Sequence, residues 1–99
     1  MVATSARGCW RINPTCILHW RHWDEGYVLF DAASGLTHAL NVIGAVCLET
    51  LAAGSRDEAE LAAAVRHELD LGPDELSAGE LHLLLARFDE LGLAEPVSA

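Results

Sequence analysis

Lysine is absent from this 99-residue chain, and its six arginines face fifteen Asp and Glu. Nucleic-acid affinity rests largely on Lys and Arg displacing the counterions of phosphates, so a chain of net charge -9 is expected to bind no nucleic acid. No apolar run approaches the roughly 18 residues needed to span a bilayer. The start MVATSARGCW lacks the apolar core and cleavage pattern of a secretory signal. No membrane partner is expected. The three cysteines, Cys9, Cys16 and Cys47, are odd in number and lack the spacing of a disulfide framework. A reducing, cytoplasmic setting fits them, with Cys47 a small buried hydrophobe. A Gly-rich phosphate loop is missing, and no Ser-His-Asp or Cys-His set stands out. The sequence therefore predicts no catalytic residue and no cofactor. Internal repeats, low-complexity segments and interdomain linkers are missing too.

What is present is apolar enough to fold: 52% of residues are hydrophobic, which sets the chain apart from disordered sequences. One domain with a single modest core is expected at this length. Charge divides sharply along the chain. Residues 1–40 balance Arg7, Arg11 and Arg21 against Asp24, Glu25 and Asp31, whereas residues 41–99 set Arg56, Arg66 and Arg87 against twelve carboxylates. The second half repels phosphates and suits a basic peptide or a basic protein surface, although such acidity also serves solubility alone.

Residues 1–15 read as a loose lead-in. Residues 16–23, CILHWRHW, mix β-branched and aromatic types in period-two alternation, with Leu18 and Trp20 on one face and His19 and Arg21 on the other. Asp24, Glu25 and Gly26 form a hairpin loop in which Gly26 supplies a positive φ. Residues 27–31 make a second strand, residues 32–35 a turn with Gly35 left-handed, and residues 36–40 a third strand. Parity points Leu36, His38 and Leu40 inward, and Thr37 and Ala39 outward.

Asn41 is an N-cap for a helix buried on one side, on which Ile43, Val46, Cys47 and Leu51 recur at helical spacing up to Gly54. Gly44 within it fits close packing better than a ligand site. Ser55 through Glu58 reads as a capping box for a second helix with Leu61, Val65 and Leu69 on one stripe, ended by Leu71, Gly72 and Pro73. Ser77 and Glu80 form another box, opening a last helix striped with Leu81, Leu84, Leu85, Phe88 and Leu91 and stopped by Gly92. Leu84 and Leu91 lie toward one side of that stripe and Leu85 toward the other, which leaves one flank open, and Arg87 is the helix's only cation. The tail 95–99 is expected to fray. The predicted class is α+β and winged-helix-like, a three-stranded antiparallel sheet followed by three helices.

Ligand-type residues cluster once, as Cys16-x2-His19-x2-His22 with Cys9. On a strand the two histidines point to opposite faces and no C-x2-C knuckle accompanies them, so no metal site is expected. His67 and His82 read as surface residues of helices. His38 differs, because it sits on an otherwise apolar strand face.

Taken in order, these motifs resemble a known family. Asp24 and Gly26 before a Tyr27-Val28-Leu29 strand, a Gly35 turn, a strand ending in Leu40-Asn41, a capped helix, and a last helix closing on Phe88-x2-Leu91-Gly92-Leu93 resemble the PqqD-like peptide chaperones, also called RiPP recognition elements. The resemblance covers about residues 17–94. The variant with Trp20, Trp23-Asp24-Glu25-Gly26 and Thr37-His38-x-Leu40-Asn41 is most similar to the PqqD-family proteins of the HPr-rel-A gene system, which are associated with an HPr-kinase-like protein. The resemblance implies a non-catalytic module that holds the leader segment of a ribosomally made precursor peptide as an added strand and presents it to a modifying enzyme. Its implied site is the edge Leu36, Thr37, His38, Ala39 and Leu40 with a helix wall of Leu81, Leu85 and Phe88. An adaptor for a folded partner such as the HPr-kinase-like protein, and a winged-helix nucleic-acid binder, are the other classes weighed. Whether the tryptophan-rich start packs on the sheet or pairs two copies as a homodimer stays open.

Overall fold

Alternating side chains in the first half of the chain and 3.6-residue stripes in the second produce a mixed α+β structure in the computed structural model, which describes residues 9–23, 26–72 and 74–97. The elements are β1 (Cys9–Ile12), β2 (Leu18–Trp23), β3 (Gly26–Asp31), β4 (Leu36–Leu40), α1 (Val42–Ala53), β5 (Arg56–Asp57), α2 (Glu58–Leu69), α3 (Ala78–Glu90) and β6 (Ala94–Pro96).

The strands form two antiparallel sheets rather than the single sheet expected, one ordered β2-β3-β4 and the other β5-β1-β6. In the first, the register runs unbroken from Leu18 opposite Asp31 to Trp23 opposite Gly26, and from Asp31 opposite Leu36 to Tyr27 opposite Leu40. Leu18, Trp20, Leu29, His38 and Leu40 thus share the inner face. Leu29 is fully buried at its centre, while Leu18, Trp20 and Leu40 pack partly buried against the core.

The second sheet corrects the reading of both ends of the chain. Cys9–Ile12, expected in a loose lead-in, is the central strand of that sheet, and Trp10 is buried with its indole N–H donating to Glu58 Oε2 at 3.0 Å. Glu95 and Pro96, expected to fray, belong to β6 and pair with Arg11 and Trp10. Both strands are too short to carry an alternation signal, and what holds them is pairing across more than 80 residues of sequence, which no local pattern displays. The same pairing moves the start of α2. Arg56 and Asp57 are drawn into β5 opposite Trp10 and Cys9, so the capping box is Asp57 with Glu60 rather than one opened by Ser55. Asp57 accepts from the Glu60 amide at 2.7 Å and donates its own amide to Glu60 Oε1 at 3.0 Å.

Helix α1 is more deeply set than a one-sided stripe implies. Residues 44–48 are all buried, because α2 packs on one side of the helix and β1, β3 and β4 on others. Helix α2 closes on Asp70 in the left-handed conformation, φ 54°, before Leu71 and Gly72 are reached. Helix α3 begins at the expected Ser77–Glu80 box, and Gly92 leaves it at φ 76°. Leu48, Leu61, Val65, Leu81, Leu85, Phe88 and Leu93 form the fully buried centre between helices and sheets. Gly26 does not take a positive φ. It is the first residue of β3, and a Cβ there would lie 3.2 Å from the Leu40 carbonyl oxygen, so close backbone approach is what requires glycine.

Candidate functional site

β4 lies at one edge of its sheet, with β3 as its only strand partner among the described residues. Its placement begins at Asp31. This buried carboxylate accepts from the Ile17 amide, the Ala33 amide and the Ser34 hydroxyl, each at 3.0 Å, and fixes the turn that delivers the chain into β4. Those bonds, led by the one from Ile17, hold its carboxyl below the ordinary carboxylate range. Gly35 takes the expected left-handed conformation at φ 78°. At the other end Asn41 accepts from the Gly44 amide at 2.8 Å and starts α1.

A groove of about 400 Å³ runs along this edge. It is lined by residues 37–40 of β4, by Asn41 and Gly44, and on the other side by Leu84, Arg87 and Phe88 of α3 and Leu91 at its C-terminal cap. Gly44 permits the arrangement, since a Cβ there would stand 3.3 Å from Asn41 Oδ1 and 3.4 Å from the Phe88 ring. Arg87 is the groove's one arginine, tied to Glu90 at 3.5 Å through an exposed i,i+3 pair that restrains it weakly.

The structure brings Thr37, His38, Ala39, Leu40 and Phe88 of the expected site together around this groove and leaves three of its residues outside it. Leu81 and Leu85 are fully buried in the core and offer no surface to a ligand; the wall rotates by one position to Leu84, Arg87 and Leu91. On α3 the most apolar face seals the core, and the flank beside it faces β4. Leu36 is 55% exposed rather than inward and does not line the groove. His38 and Leu40 do lie on the more buried side of the strand.

Comparison of the chain with protein-family models, curated proteins and solved structures returned no match. The site is therefore read from its own chemistry. Burial pushes the Cys47 thiol up to about 12, and burial together with the Asp31 charge pushes Cys16 up to about 11. Both thiols are protonated near neutral pH and are weak nucleophiles. Among the described residues, no group of three or more His, Cys, Asp or Glu side chains is placed to hold a metal ion. His19 and His22 fall on opposite faces of β2, near Phe30 at 6.3 Å and stacked on Tyr27 at 4.6 Å. His67 and His82 are exposed, and His82 Nδ1 lies 3.0 Å from Glu58 Oε2. No helix is long and apolar enough to cross a membrane among the described residues.

Proposed function

We propose that this domain is a non-catalytic peptide-binding module of the PqqD-like type, which takes the leader segment of a ribosomally made precursor as an added strand on β4 and presents it to a modifying enzyme. The observation that carries this reading is an open strand edge running beside a groove whose other wall is apolar. The order of β2, β3 and β4, a capped helix and two further helices supports the reading, together with the sequence resemblance over residues 17–94.

The energetics require both parts of the groove. About four main-chain hydrogen bonds at ~1 kcal/mol net each supply ~4 kcal/mol, against the ~8 kcal/mol of micromolar binding before ordering costs. Apolar side chains of the peptide, seated on Leu84 and Leu91, make up the difference. A recognition helix in a nucleic-acid groove is disfavoured by the charge of α3, where Glu80, Asp89 and Glu90 outweigh Arg87.

Fluorescence anisotropy with labelled peptides encoded beside the gene tests the reading. Micromolar, saturable binding that Leu84→Ser weakens about tenfold, equivalent to ~1.4 kcal/mol, is expected. Absence of binding by every such peptide, together with capture of a folded partner, would replace the peptide module with an adaptor.

A further inference from the structure

The opposite edge of the same sheet is also unpaired among the described residues, and it differs in kind. β2 pairs with β3 over all six of its residues without a bulge, and it contains neither proline nor a carboxylate. Protein edges are ordinarily protected by lysine, proline, inward charges, bulges or a covering helix. β2 has none of the first four. Around it lies a broad concavity of about 810 Å³, lined by His19, Trp20, Arg21, His22 and Phe30, all of them sheet residues. Ile17, just before the strand, is 55% exposed, and Phe30 is 39% exposed.

We infer that β2 is a self-association edge, at which two copies of this chain pair antiparallel into one six-stranded sheet. Two features of the molecule select a second copy over a lone peptide. First, among the described residues no helix walls this edge as α3 walls β4, so a single added strand would gain little beyond its main-chain bonds. A second copy brings a folded sheet with the same aromatic side chains and buries them on both sides of the junction. Second, the surplus charge of -9 lies entirely in residues 41–99, while residues 1–40 sum to zero. Two such acidic molecules meet with least repulsion through their sheet halves.

Symmetry restricts the register. A twofold axis normal to the sheet keeps each face on its own side, so residues of equal parity must oppose one another. Centring on Arg21 would set two guanidiniums against each other; centring on Trp20 sets Trp20 opposite its own copy, His19 opposite Arg21, and Leu18 opposite His22. The β4 grooves then lie at the two outer edges of the six-stranded sheet, free of the junction. This inference does not depend on what those grooves bind.

Sedimentation equilibrium of the full chain over rising concentration tests it, with amide hydrogen exchange on the same samples. The expected result is a mass rising from 10.6 kDa toward twice that value, with exchange slowing at residues 18–22 and unchanged at residues 36–40. The double variant His19→Glu/Arg21→Glu, which places four carboxylates at the junction of two copies, should stay monomeric with an unchanged helical circular dichroism spectrum. A wild-type chain that is monomeric throughout, a dimer that survives in the double variant, or concentration-dependent protection at β4 instead of β2 would each overturn the inference. Exchange on the wild-type chain decides the matter if the double variant does not fold.

Discussion

Asp31 shows how one side chain can position a site it does not touch. Its three accepted hydrogen bonds join the start of β2, the β3–β4 turn and, through that turn, the start of β4. Because its folded-state pKa lies below the ordinary value of 3.8, the ionised carboxylate adds stability above that value, and the contribution is lost as pH falls through the depressed pKa. Asp31→Asn should therefore lower the melting temperature at pH 7, and its gap to wild type should narrow as pH falls through the depressed pKa; equal melting temperatures at pH 7 would contradict the role. Leu81 and Leu84 provide a second contrast, three residues apart on one helix. Leu81→Ala should cost about 2–5 kcal/mol of stability, read from urea unfolding, because it empties a fully buried position. Leu84→Ser should cost much less stability and fall mainly on ligand binding, since Leu84 is only partly buried and faces the groove.

At the scale of elements, β4 was legible because every local signal agreed: a glycine that can turn, five residues of strand, then an asparagine cap. α3 was legible as a helix but not in the assignment of its faces. Its apolar residues span more than one side, and which of them meets the core depends on where α1 and β4 lie, information that spacing alone does not carry. β1 and β6 were illegible, since four- and three-residue strands are made by pairing with each other rather than by intrinsic preference. The acidic balance of α3 was visible in Glu80, Asp89 and Glu90 against Arg87, whereas the wall expected at Leu81, Leu85 and Phe88 falls instead at Leu84, Arg87 and Leu91. Ala39→Pro probes the edge itself: it removes one amide and stiffens β4, so peptide binding should be abolished while amide spectra of α1, α2 and α3 are retained. Unchanged affinity would remove β4 from the binding surface.

At the scale of the whole molecule, charge is separated between a neutral sheet-rich part and an acidic helical part. A ligand carrying Arg or Lys beyond the segment seated on β4 would be steered by that field, and its association rate should fall as ionic strength rises past ~0.1 M, where the screening length is ~10 Å. Stopped-flow association at low and high salt would show this, and a salt-independent rate would mean that apolar contact alone governs encounter. Among the described residues, the two outer edges of this sheet divide the surface further, with α3 beside β4 and sheet side chains beside β2. A module of this shape has room for an extended chain at one edge without disturbing the core at the other.

The central claim is that β4 is the edge to which a peptide adds as a strand. Its most direct measurement is a titration of the isotope-labelled protein with peptides encoded beside its gene, following backbone amides by NMR. The account predicts saturable shifts at residues 36–40 and at Leu84, Arg87 and Leu91, with slowed hydrogen exchange along β4. Shifts confined to other elements, with β4 amides unmoved at saturation, would contradict it.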